Sequence, residues 1–125
     1  MSIGLPKVSA VERGAAWEEF ALHHLQQQGL ILLDRNYRCR MGELDLIMRD
    51  GNTVVFIEVR YRKSNAFGSA AESVGAHKQA RLLKAASHYL QKNNFPDEPA
   101  CRFDVVAISG QKGESLEWIK DAFGE

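Results

Sequence analysis

Three acids stand where strand core is expected. In GELDLIMRDGNTVVFIEVRYR (42–62), Glu43, Asp45 and Glu58 interrupt runs of Leu, Ile, Val and Phe. Carboxylates held close together repel, and each then resists ionisation. A hard divalent cation such as Mg²⁺ or Mn²⁺ removes that penalty, because it prefers carboxylate oxygen and keeps several waters. An ion held this way polarises a phosphoryl oxygen and lowers the pKa of an attacking water. A basic run, Arg60, Arg62 and Lys63, follows the last acid, and RNYRCR (35–40) adds Arg38 and Arg40. Phosphate is the counter-charge such runs suit. Phosphodiester hydrolysis uses both features. The plainer alternative is a solvated strand face or a set of salt bridges. Leu44, Leu46, Ile47, Phe56, Ile57 and Val59 leave little solvent-facing strand for it, and on these residues both readings stay open.

Two strands and a hairpin must position the acids. The run 53–61, TVVFIEVRY, is rich in β-branched and aromatic residues and predicts a strand. The run 44–49 predicts its partner, with Asp50-Gly51-Asn52 as the turn between them. A two-residue loop at Gly51-Asn52 sets Asp45 opposite Glu58; a tighter turn at Asp50-Gly51 sets Glu43 opposite Glu58. The registers differ by an even shift, so all three acids are expected on one face.

The remaining elements frame that hairpin. Ser9-Ala-Val-Glu12 has the form of a capping box, and Trp17, Phe20, Ala21 and Leu25 mark one face of a helix over 10–28 that stops at Gly29. A first strand is predicted over 30–38 and a loop over 64–75. A helix over 76–93 follows, with Leu82, Leu83, Ala86, Tyr89 and Leu90 on its apolar face. His77, Arg81, Lys84 and His88 form its polar stripe, which is either merely solvated or tracks a nucleic-acid backbone. Lys78 and Gln79 sit where a phosphate would meet exposed helix amides. A strand over 102–109, apolar on both faces, reads as central; Asp104 within it reads as structural, although it could reach the acids. A short strand at 116–118 and a C-terminal helix complete the prediction. The order α-β-β-β-α-β implies an α/β fold, a mixed sheet flanked by helices.

Composition sets the outer bounds. The chain has 125 residues, 45% hydrophobic and 26% charged, which suits one domain over 1–125. Formal net charge is zero, so any phosphate-binding surface must be a local patch. No apolar run reaches membrane-span length, and MSIGLPKVSAVERG lacks the apolar core of a secretory signal. A cytoplasmic location without membrane association is expected. Cys39 and Cys101 form no CxxC pair and read as two buried free thiols.

GELDLI, a hairpin and FIEVRYR together resemble the PD-(D/E)xK nuclease signature. With GAAWEEFALHHL, RNYRCRMGELDLI, FGSAAESV, KQARLLKAASHYL and CRFDVVAI, nearly the whole chain resembles the YraN-type family of bacterial proteins. That resemblance implies a restriction-endonuclease-like fold near archaeal Holliday-junction resolvases. It implies Asp45 as the first metal-binding acid and Glu58 as the acid of the tripeptide, with the Val59 carbonyl as a further ligand. Glu18, in the G-x-x-x-E of Gly14 to Glu18, resembles the N-terminal glutamate of resolvase-type members, and Glu43 becomes a supporting or alternative ligand. The tripeptide's third position, usually lysine, is Arg60 here. Arginine stays charged and is a poor proton acceptor, so Arg60 would neutralise charge at the scissile phosphate. Arg62, Lys63 or Lys78 would have to supply any replacement cation, and Arg38, Arg40 and Arg81 would join them as nucleic-acid contacts. The implied activity is Mg²⁺- or Mn²⁺-dependent hydrolysis of DNA, branched DNA included, by a chain that resembles homodimeric enzymes. Its rivals are a non-catalytic nucleic-acid-binding module, which Arg60 favours, and a protein-interaction domain.

Overall fold

The computed structural model describes residues 10–62, 74–95 and 99–124, with side chains of the first helix from Gly14 onward. The capping box and most of the predicted 64–75 loop, like Lys63, lie outside the described residues. The elements run α1 (Ala10–Gln27), β1 (Ile31–Cys39), β2 (Gly42–Asp50), β3 (Thr53–Arg62), α2 (Ala76–Lys92), β4 (Cys101–Ser109) and β5 (Ser115–Phe123). The five strands form one mixed sheet in the order β1-β2-β3-β4-β5. Only β3 and β4 are parallel; the other pairs are antiparallel. The α/β prediction therefore holds, and the arrangement is consistent with a nuclease-like fold.

Each helix covers one face of the sheet. Ala21, Leu22 and Leu25 of α1 pack with Leu46, Met48, Val55, Ile57, Val106 and Ile108. Leu82, Ala85, Ala86 and Tyr89 of α2 pack with Ile47, Val54, Phe56, Phe103 and Val105 on the other face. Alternate residues of β2 and β3 thus feed different layers, as the pleat requires. Phe20, expected on the apolar face of α1, is 43% exposed, because Leu22 takes the inward position instead.

Two turns fix the geometry. Helix α1 ends where Gly29 adopts φ 98 and Leu30 donates its amide to the Leu25 carbonyl. The β2–β3 hairpin uses the two-residue loop Gly51-Asn52: Asp50 faces Thr53, and Gly51 takes φ 60. Of the two possible registers this is the one that aims Asp45 toward Glu58.

Two further expectations fail. The C-terminus is not helical: Ser115 to Phe123 is a nine-residue strand paired along β4. Leu116 and Trp118 pack toward the α1 layer, while Ile119, Ala122 and Phe123 pack toward the α2 layer. Pairing with β4 supplies the backbone hydrogen bonds that a short terminal helix would have to make alone. A register shift lets the strand continue past Asp121, which sits at φ 52 and donates its amide to Asp104 Oδ1 at 2.9 Å. The cysteines are not the buried pair expected: Cys39 is only half-buried, and Cys101, at the start of β4, is exposed.

Candidate functional site

Site geometry depends on a break in strand alternation. Leu46 packs toward α1, whereas Leu44, two residues earlier, packs toward α2. A regular strand sends both to the same side. The neighbouring strand changes sides on the same rung: Arg35 lies opposite Leu46, Tyr37 lies opposite Leu44, and Asn36 between them has φ 53. Asp45 occupies the crossover. Its Oδ2 accepts the Val59 amide at 2.9 Å, so this side chain fills the seam between β2 and β3.

The acids therefore do not line one face. Glu58 lies two residues after the α2-facing Phe56, and its Oε1 meets Lys78 Nζ of α2 at 2.5 Å. Glu43 neighbours the α2-facing Leu44 and so points to the α1 side, where it pairs with Arg38 at 3.4 Å. Asp45 stands between them. The expectation of a shared face fails because side-chain alternation breaks at Asp45.

Their charges still interact. Burial pushes the Asp45 carboxyl up to about 8; the charge of Glu58, and a hydrogen bond with it, act in the same direction, while the Val59 amide opposes. Glu18 is raised mainly by burial, next by the charge of Glu43, with a further contribution from Glu58. Among the described residues Glu18 Oε1 is buried without a hydrogen-bond partner. Four acids from α1, β2 and β3 thus converge electrostatically, although none of the four adjoins another in sequence.

Cations surround this group. Arg60 Nε lies 3.6 Å from Glu58 Oε1, beside Lys78. Arg35 bridges to Glu19 of α1 at 2.8 Å and clamps that helix to β1. Arg62 is half-buried and Arg40 is exposed, as is Arg81, whose Nε reaches the Met41 carbonyl at 3.5 Å. Of the predicted polar stripe, His77, Arg81 and Lys84 are exposed, but His88 turns to hydrogen-bond the Tyr37 hydroxyl.

Asp104 belongs elsewhere. It is fully buried and accepts from Arg102 Nε at 3.1 Å, Trp118 Nε1 at 2.9 Å and the Asp121 amide. It holds β5 to β4. A recess of about 1070 Å³ on the α2 side, lined by Phe56, Leu83, His88, Arg102 and Phe123 among others, includes none of the converging acids.

The donor set suits a hard cation. Carboxylate oxygens dominate it, and Mg²⁺ commonly takes one or two of them and keeps its waters. Asp45 and Glu58 are the pair in mutual reach, and the unpartnered Glu18 Oε1 is the nearby oxygen with spare bonding capacity. Among the described residues no three His, Cys, Asp or Glu side chains are already gathered as a ligand set. Asp45 and Glu58 are the carboxylate pair that would hold such an ion, and Glu18 and Glu43 act in the same electrostatic group.

The fold and this seam define an α/β protein with an acidic, cation-flanked centre at the meeting of two strands. The chain belongs to the uncharacterised protein family UPF0102, whose model matches residues 17–108. It is 53% identical over 119 residues to a UPF0102 protein of Nitrosomonas europaea, covering 94% of this chain and 98% of that one. A UPF0102 protein of Pseudomonas savastanoi pv. phaseolicola is 50% identical over 121 residues, with 95% and 98% covered. Among solved structures, Pyrococcus furiosus SfsA in complex with Ca²⁺ aligns over 90% of this chain and 64% of its own, with TM-score 0.34 and 13% identity, a likeness too slight to argue from. Among the described residues no helix is long and apolar enough to cross a membrane.

Proposed function

We propose that this protein is a metal-dependent nuclease of the restriction-endonuclease-like class, hydrolysing phosphodiester bonds in DNA, branched DNA included. One observation carries the reading: Asp45 is held between two strands, beside the enclosed Glu58, in a setting that strongly disfavours two bare negative charges. A divalent cation is the ligand that turns that repulsion into binding.

Asp45 and Glu58 would hold Mg²⁺ or Mn²⁺, with the Val59 carbonyl as a further oxygen. The ion supplies Lewis acidity toward a phosphoryl oxygen and a more acidic water. The Val59 amide fixes the orientation of Asp45. Arg60, which lies next to Glu58, would neutralise charge on a phosphate. Glu18 would assist from α1 and Glu43 would be a supporting or alternative ligand; the charge of Glu43 already acts on Glu18. Arg38, Arg40, Arg62, Lys63, Lys78 and Arg81 are the basic residues offered to the DNA backbone.

A panel of linear, flap, nicked and four-way DNAs, incubated with Mg²⁺ or Mn²⁺, tests the assignment. Wild type should cleave at least one member, and Asp45→Ala and Glu58→Ala should each lose that cleavage. Cleavage persisting in both variants removes the enzyme reading. A specific feature favours a second reading, a nucleic-acid-binding module that does not turn over: Glu58 already has two cationic neighbours, and the motif lysine is Arg60. DNA binding indifferent to metal and to Asp45→Ala would select it.

A further inference from the structure

Glu58 is 6% exposed, and a single oxygen of it, Oε1, meets both Lys78 Nζ at 2.5 Å and Arg60 Nε at 3.6 Å. The two cations differ in their freedom to leave. Lys78 lies in the first turn of α2, and its side chain is 42% exposed against 30% for Arg60. A lysine ammonium is a compact charge on a flexible four-carbon stem, and it can exchange one anionic oxygen for another by rotating that stem. Arg60 is two residues from Glu58 on the same strand, less exposed and farther from the shared oxygen. A divalent cation approaching Asp45 and Glu58 would meet the Lys78 ammonium at the oxygen it needs, and like charges sharing one oxygen repel.

We propose that Lys78 is a phosphate-operated latch on the acid pair. Without nucleic acid its ammonium occupies Glu58 and holds divalent-cation affinity down. A phosphodiester of bound nucleic acid draws the ammonium away, and Glu58 becomes available to the cation. The inference rests on the nuclease reading of this site and adds to it that metal uptake is conditional on the substrate's backbone. Linkage then makes the effect reciprocal: the factor by which nucleic acid raises metal affinity equals the factor by which metal raises nucleic-acid affinity.

The test is calorimetric titration of Mn²⁺ into the full chain, alone and with a short phosphorothioate-backbone DNA duplex. Lys78→Met keeps the stem and loses the charge, whereas Lys78→Arg keeps a charge. In wild type the duplex should tighten Mn²⁺ binding about tenfold. Lys78→Met should bind Mn²⁺ about tenfold more tightly than wild type without DNA, and should gain little from adding it. Lys78→Arg should retain most of the wild-type coupling. Equal Mn²⁺ affinity in wild type and Lys78→Met, abolished in both by Asp45→Ala, overturns the latch and leaves the metal site standing. Mn²⁺ binding that ignores Asp45→Ala in every background overturns the latch and the nuclease reading together. Thermal unfolding of each variant checks folding, and Lys78→Gln replaces Lys78→Met if the latter does not fold.

Discussion

Two groups of enclosed acids on neighbouring strands of this sheet have opposite fates. Asp104 on β4 is fully enclosed, and three donors, an indole, a guanidinium and a backbone amide, close around its oxygens. Asp45 and Glu58, at the β2–β3 seam, are set against each other; Asp45 has one backbone amide, and its carboxyl is pushed up to about 8. Burial alone does not distinguish architecture from chemistry. The partner set does: the satisfied acid holds a strand in place, while the mutually repelling pair, with Lys78 and Arg60 on one oxygen of Glu58, would gain from a divalent cation.

The largest effect that tests this contrast is on Asp104. Asp104→Ala should strand the Trp118 indole N–H, the Asp121 amide and part of the Arg102 charge in the interior. A loss of about 3 kcal/mol in urea unfolding is expected. A change well below 1 kcal/mol would mean that its partners are not what holds β5, and the contrast would break.

Next in size is Asp45→Asn. Asparagine mimics the protonated carboxyl and can still accept the Val59 amide. The sign follows from linkage. The folded-state pKa of about 8 lies above the ordinary carboxylate value, so the native state binds the extra proton, and wild-type stability falls as pH rises from roughly 4 to 8. Asp45→Asn escapes that loss. It should be more stable than wild type at pH 8.5, by roughly 2 kcal/mol after allowance for solvent screening, and should show no such gain near pH 4. Thermal melts across that range would detect it. Mn²⁺ added at pH 8.5 should stabilise wild type and leave Asp45→Asn unmoved.

The smallest effect belongs to the solvent-facing edge of the site. Arg38 and Glu43 pair at 3.4 Å with side chains 75% and 44% exposed. A double-mutant cycle to alanine should return a coupling of about 0.5 kcal/mol or less, decreasing in salt. A coupling of several times that size would draw Glu43 into the enclosed group and redraw the boundary of the site.

Much of the frame is legible in the chain. The helix from Ala76 shows its leucine periodicity, and the β2–β3 hairpin is marked by Asp50-Gly51-Asn52, whose two-residue register is one of the two alternatives the residues allow. The C-terminal strand is much less legible. Its residues are half-buried or exposed at the sheet's edge, so Glu117, Lys120 and Asp121 dilute the alternation that would reveal it. The seam is hidden for a different reason. Leu44-Asp45-Leu46 reads as ordinary alternation, and nothing local announces that the two leucines take opposite faces; that follows from β1 changing sides at Asn36 on the same rung.

By itself the sequence determined the element types up to β4, the acids and the basic residues near them, because side-chain period and turn chemistry are local properties. Only the tertiary structure decided which of those charges meet. Parallel pairing of β3 with β4 obliges α2 to start near the end of β3 and return along the sheet, and that path carries Lys78 onto Glu58, twenty residues away in the chain. Local rules cannot specify such a meeting, since it depends on where a crossover closes.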